Sequence, residues 1–184
     1  MPPSDNNICG YCLKETPRYS RLISCLSYKN EIKSTFQKYK FCNRPDLHVG
    51  YSKLACEVLE RDGVFFDAVL CMPLHKKKLL SRGYNQSALI AKNIARHFEV
   101  PFYEDLLIKI RETENQAELT YQERRKNIKG AFSVSNPERI KGCTVLLVDD
   151  IFTTGFTMRE AAKTCAPFTD EIIAFTTCRG TLEK

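Results

Sequence analysis

Residues 145–157 read Val-Leu-Leu-Val-Asp-Asp-Ile-Phe-Thr-Thr-Gly-Phe-Thr, and this stretch constrains the fold more than any other. Four apolar residues in a row, without alternation, suit a strand covered on both faces, which arises where helices flank a parallel sheet. A strand is therefore expected over Cys143–Val148, ending in two acids, with a helix over Thr157–Cys165 entered through Gly155. Other segments repeat the alternation. The runs Phe65–Met72, Leu106–Ile110 and Glu171–Cys178 read as strands. Tyr28–Phe41 and Val49–Arg61 carry apolar residues at helical spacing, Gly63 stops the second, and Asn85 caps a helix whose face is Ala88, Ala91, Ile94, Ala95 and Phe98. Strands alternating with helices imply an α/β fold with a mainly parallel, Rossmann-like sheet. Residues 111–130 are polar and without an apolar period, which predicts a long surface excursion.

Composition sets the outer limits. The chain has 184 residues, 43% of them hydrophobic and 27% charged, enough for one α/β domain. No run approaches the ~18 apolar residues of a membrane helix, and Met-Pro-Pro-Ser-Asp is no signal peptide, so a cytoplasmic protein without membrane insertion is expected. Nine cysteines, several inside apolar runs, read mostly as small buried hydrophobes. A formal charge of +6 leans toward anionic partners.

Ligands of such sheets bind beyond the carboxyl ends of the strands, which brings Met72–Arg82 and Asp149–Thr157 to one mouth. Gly155 permits a tight turn, Thr153, Thr154 and Thr157 supply hydroxyls, and the first amides of the following helix point the same way. Such a nest holds a phosphate without a charged side chain. No Gly-Lys-Ser/Thr follows, so it is not a Walker loop. Asp149 and Asp150 would repel that phosphate unless they face another group, and vicinal hydroxyls or Mg²⁺ are the natural candidates. A ribose 5-phosphate satisfies both halves. The alternative, an ordinary turn with an acidic helix cap, needs one acid rather than a pair beside three threonines.

The stretch resembles the phosphoribosyl diphosphate (PRPP) motif of type I phosphoribosyltransferases. By that resemblance Asp149 and Asp150 act at the reacting ribose by bonding its 2′ and 3′ hydroxyls, and Thr153, Thr154, Gly155, Phe156 and Thr157 hold the 5-phosphate. MPLHKKKLLSRGYNQSALIAKNIA and RETENQAELTYQERRKNIKGAF are similar to the two signature stretches of the ComF family, over residues 28–178. The resemblance implies the type I phosphoribosyltransferase fold over 28–184, after an N-terminal segment 1–27. It makes Met72, Pro73, Leu74, His75, Lys76 and Arg82 a diphosphate loop. It makes 111–130 a flexible hood with contacts from Arg111, Gln116, Arg124 and Asn127. For Lys77 and Lys78 a solvated charge run is the competing reading, and for Glu123–Lys126 an exposed helical salt-bridge face.

The implied chemistry is Mg²⁺-assisted displacement of diphosphate from ribose C1′ by an unnamed acceptor. The third residue after the acid pair is often a purine-directed acid in salvage relatives; here it is Thr153. The ComF resemblance further implies a role in DNA uptake, with PRPP, single-stranded DNA and DNA-uptake proteins as partners and an oligomer left open. Lys29, Lys33, Lys38 and Lys40 could track a nucleic-acid backbone, and Tyr28, Phe36, Tyr39 and Phe41 either stack bases or belong to the core. Full-length relatives carry two Cys-x-x-Cys pairs in a Zn²⁺ site. This chain has one, Cys9 and Cys12, which either binds zinc with Cys25 and Cys42, or with another chain, or binds no metal.

Overall fold

The structure is a computed structural model that describes residues 16–113 and 120–180. Its main sheet has five strands, β1 (Arg21–Ser27), β2 (Ala68–Cys71), β3 (Phe102–Tyr103), β6 (Thr144–Phe152) and β7 (Glu171–Arg179). They lie in the order β1-β7-β6-β2-β3, and every pairing is parallel. A separate two-stranded antiparallel ladder joins β4 (Leu107–Lys109) to β5 (Phe132–Val134).

The helices are α1 (Asn30–Phe41), α2 (His48–Arg61), α3 (Lys76–Arg82), α4 (Gln86–His97), α5 (Tyr121–Ile128) and α6 (Phe156–Cys165). Successive side chains of β6 enter opposite cores, as a strand buried on both faces requires. Leu146 and Val148 pack with α1, α2 and α4 residues such as Phe36, Leu59 and Ile90, while Val145 and Leu147 pack with Ala161, Ala162, Ile140 and Phe132. The unbroken apolar run Val145–Val148 follows from this two-sided burial.

Several expectations shift. The main sheet is parallel as expected, but Leu106–Ile110 contributes β4 to the side ladder, because its partner is the strand that follows the 111–130 excursion. The predicted strand Phe65–Met72 contracts to Ala68–Cys71, and Phe65 is 87% exposed. Residues 21–27, assigned by sequence to the N-terminal segment, form β1 at the sheet edge, paired with β7 and tied to it by Ser24 Oγ and Thr176 Oγ1 at 2.8 Å. The excursion is not structureless throughout. Thr120 caps α5, its hydroxyl accepting from the Glu123 amide and the Glu123 carboxylate accepting from the Thr120 amide at 2.8 Å. Of the seven described cysteines, Cys56, Cys71, Cys165 and Cys178 are buried, and burial pushes the Cys165 and Cys178 thiols up to about 12. Among the described residues no helix is long and apolar enough to cross a membrane.

Candidate functional site: an acid pair at the switch point of the sheet

From β2 the chain leaves toward β3, and from β6 it leaves toward β7, in opposite directions across the sheet. The crevice between the carboxyl ends of β2 and β6 is therefore the topological switch point where such folds bind ligands. The two segments singled out in the sequence meet there. Cys71 lies opposite Val148, and the Met72 amide donates to the Val148 carbonyl at 2.7 Å. The loop after β2 is braced by Asn85, whose Nδ2 donates to the Met72 carbonyl at 3.0 Å while its Oδ1 caps α4 by accepting from the Ser87 amide at 3.1 Å. The expected cap at Asn85 thus also sets the shape of the loop at the mouth.

Asp149 and Asp150 are the sixth and seventh residues of β6, still within the ladder to β7. Asp149 Oδ1 accepts from the Asp150 amide at 2.8 Å and from Ser87 Oγ at 3.2 Å. Burial raises the Asp149 carboxyl from 3.8 to about 7, with Asp150 adding to the rise and the Asp150 amide, Lys40 and Ser87 opposing it. Asp150 is 8% exposed, and its Oδ2 is 2.6 Å from the Lys40 ammonium. The two adjacent acids thus differ: the Asp149 carboxyl is raised toward neutrality, and Asp150 is matched by a lysine.

Gly155 precedes α6 with φ +78°, a left-handed conformation, and an added Cβ would lie 2.4 Å from the Phe152 ring. The turn Thr153–Thr157 consequently delivers the chain into α6 directly beyond the acid pair. A helix start leaves its first-turn amides without intrahelical acceptors, the groups with which a phosphate could be bound.

In the loop after β2, Met72 is buried, Pro73, Leu74 and His75 are half-buried, and Lys76 is exposed at the start of α3. The sequence reading treated Met72–Arg82 as loop, whereas Lys76–Arg82 is helical and ends at Gly83. Arg82 Nη1 donates to Gln86 Oε1 at 2.7 Å, and Gln86 is 1% exposed with no hydrogen bond from its Nε2 among the described residues. Lys77 pairs with Glu112 at 2.6 Å, linking α3 to the start of the hood rather than pointing to solvent alone.

The hood residues separate. Arg111 Nη2 donates to the carbonyls of Asn127 and Lys129, each at 2.8 Å, so it stitches the two ends of the excursion together instead of reaching the crevice. Asn127 takes part through its backbone carbonyl. Arg124 stands on α5, where its amide donates to the Thr120 carbonyl at 2.9 Å. Gln116 lies outside the described residues, as do Cys9 and Cys12. Cys25, offered as a further zinc ligand, has its Sγ 4.0 Å from the Leu54 carbonyl, and burial pushes its thiol up to about 12.

Three residues of this region were not named by sequence reasoning as parts of the site, Lys40, Ser87 and Lys109, whereas Gln86, read with Arg82 and Asn85 as fixing the loop to the helix start, does so through its bond from Arg82. Lys109 ends β4, donates to Thr113 Oγ1 at 2.7 Å, and is lowered to about 8 by burial and by Lys78, with Asp149 pulling it back. The one available signal was the polar run Asn85-Gln86-Ser87 opening an otherwise apolar helix face. Of the aromatics considered for base stacking, Phe36 and Tyr39 are fully buried, with Phe36 at 4.4 Å and Tyr39 at 5.6 Å from the Tyr51 ring, so they are core and not a stacking platform.

The acid pair also makes a pH prediction. Asp149 binds its proton more tightly folded than unfolded, so its contribution is fully present below pH 3.8 and is lost as pH rises through about 7. Asp149→Asn should flatten the decline in ligand-free stability between pH 4 and 7 and raise Tm at pH 8; the ceiling on the gain is ~4 kcal/mol. Urea denaturation across that pH range measures it, and a parallel decline in wild type and variant would refute the assignment.

Comparison with known proteins agrees with this geometry. The phosphoribosyl transferase domain family matches residues 85–179, just over half of the chain. DNA utilization protein YhgH of Escherichia coli O157:H7 is 30% identical over 169 residues, covering 89% of this chain and 74% of that protein. Competence protein F of Haemophilus influenzae is 28% identical over 162 residues, covering 84% and 70%. Among solved structures, adenine phosphoribosyltransferase from Leishmania donovani superposes with a TM-score of 0.50 at 11% identity, over 91% of this chain and 85% of that one. The glutamine PRPP amidotransferase from B. subtilis, complexed with ADP and GMP, gives 0.52 at 19% identity over 76% of this chain, which spans only 30% of that enzyme's length. These structural likenesses speak to the fold. With its parallel sheet, its switch-point acid pair and these relatives, the chain belongs to the phosphoribosyltransferase family, in the ComF group that includes competence protein F and YhgH.

Proposed function

We propose that the protein binds PRPP in the crevice between β2 and β6 and serves in the use of incoming DNA. The observation that supports the reading is that the loop after β2 and the acid pair with its Gly155 turn leave the same end of two adjacent parallel strands, β2 and β6, the place where parallel α/β sheets bind ligands. Thr153–Thr157 hold the 5-phosphate, Asp149 and Asp150 take the ribose hydroxyls, and Met72–Lys76 with Arg82 receive the diphosphate. Among the described residues no three His, Cys, Asp or Glu side chains cluster. In this reading Mg²⁺ would accompany PRPP and help neutralise the leaving diphosphate, with relatively few protein carboxylate contacts.

Transfer would break the C1′–O bond to diphosphate, with positive charge building on the sugar and negative charge on the leaving group. The chain's part is to position the two and to stabilise the leaving charge. Thr153 in place of an acid argues against hypoxanthine or guanine as the acceptor. The DNA role rests on what the relatives' names say of those proteins, on the +6 charge, and on the exposed Lys29, Lys33 and Lys38 of the α1 region.

Thermal melting tests the core of the proposal. PRPP with Mg²⁺ at 100 times Kd should stabilise the protein by about 2.7 kcal/mol, a rise of roughly 5–10 °C in Tm. Absence of any shift at millimolar PRPP would reject it. Release of diphosphate on addition of nucleobases would mark transfer, and binding without release would mark a PRPP-binding protein.

A further inference from the structure

Lys40 stands in the last turn of α1, an element outside both the acid-pair turn and the loop after β2. Its ammonium lies 2.6 Å from Asp150, with the two side chains 21% and 12% exposed. The end of α1 is held in place from two directions. Tyr39 donates its hydroxyl to the Gln86 carbonyl at 3.0 Å, and the Tyr84 hydroxyl donates to the Tyr39 carbonyl, with the two rings 5.9 Å apart. Lys40 is thereby delivered to the crevice by contacts with the very segment, Tyr84 to Ser87, that braces the loop after β2 and the Asp149 carboxyl.

A cation of α3, Lys78, is near enough to Lys40 to interact with it. The Lys78 ammonium is held below its ordinary value by burial first, then by Arg82 and by Lys40, with Glu112 opposing. Lys40 therefore has an acid in contact that attracts it and, within electrostatic range, a cation of α3, Lys78, that repels it. An anion placed between Lys40 and α3 removes the repulsion, and hydroxyl groups bonded to Asp150 remove the need for the ammonium there.

We propose that Lys40 is an exchanging, specificity-determining residue of the site: it neutralises Asp150 before binding, and turns to the diphosphate when the ribose hydroxyls take its place. The proposal rests on the phosphoribosyl reading above. Its consequence is discrimination. PRPP supplies both the diol that displaces Lys40 and the anion that receives it. Ribose 5-phosphate supplies the diol and the 5-phosphate but no diphosphate, and leaves the displaced ammonium near Lys78 without that anion.

The test is titration calorimetry of the full chain with PRPP and with ribose 5-phosphate, in wild type, Lys40→Met and Lys40→Arg. Lys40→Met should weaken PRPP at least about tenfold, the effect of losing one charge-assisted hydrogen bond. It should leave ribose 5-phosphate unchanged or tighter, and Lys40→Arg should stay within about threefold of wild type for PRPP. Circular dichroism checks folding, and Lys40→Gln replaces Lys40→Met if the latter does not fold. Equal weakening of both ligands would make Lys40 a mere prop for Asp150 and overturn the proposal, as would unchanged PRPP affinity. In either of those cases wild-type PRPP binding leaves the phosphoribosyl reading standing. A wild type that binds neither ligand removes that reading and this proposal together.

Discussion

Gly155→Ala should destabilise the protein by about 2–4 kcal/mol and remove its response to PRPP. Two costs combine at this position. The backbone is left-handed at φ +78°, which an L-residue with a side chain adopts only under strain, and the new methyl group would lie 2.4 Å from Phe152 Cζ. The Phe152 backbone is held by the Gly180 amide at 2.7 Å and its ring is partly buried against the core, so the clash is relieved either by a turn of the ring or by a shift of the turn Thr153–Thr157. Gly130→Ala is the control. Its φ is also positive, at +67°, but nothing lies within 4 Å of the added Cβ, so only the backbone cost of about 1 kcal/mol applies, with ligand response intact. Urea melts and PRPP titrations on the two variants separate steric from conformational effects. Equal losses for both would show that the Phe152 contact is unimportant.

Asp150→Ala should leave the fold intact and weaken PRPP by about 100-fold, the ~2.7 kcal/mol expected for one hydrogen-bonded carboxylate. The carboxylate is nearly buried at the crevice and already fixed by Lys40, so little ordering remains to be done when the ribose hydroxyls arrive. The variant leaves Lys40 without this acid, but its ammonium is partly exposed and has a route to water, which limits the penalty on folding. A thermal shift with PRPP equal to that of wild type would remove Asp150 from the site. Asp150→Asn, which keeps shape but not charge, should fall between the two.

Much of the fold was legible because burial writes itself into residue type. Val145–Val148 could be read as a two-faced strand since both faces are covered, and Asn85 could be read as a helix cap since its side chain bonds the Ser87 amide locally. Elements formed by distant partners were less visible. β1 has no strong apolar run, and it is a strand because β7 offers it an edge. β4 looked like one more member of the main sheet, because an apolar segment does not say which strand it will pair with. Within the excursion at 111–130 the helical alternative at Glu123–Lys126 proved to be part of α5, a helix without an apolar face whose start is marked by the Thr120–Glu123 capping box.

The same division runs through the site. By itself the sequence determined the chemistry of one stretch, apolar strand, two acids, glycine and hydroxyls, because those groups are contiguous and their spacing along the chain is their spacing in the site. Tertiary structure alone decided their burial and their neighbours. Lys40 lies 110 positions from Asp150 in the chain and Ser87 lies 62 from Asp149, yet both are in contact with the acid pair. Arg111 shows the converse. Its residue type suits a ligand contact, but the carbonyls of Asn127 and Lys129 engage its guanidinium, because the antiparallel ladder brings the two ends of the excursion together.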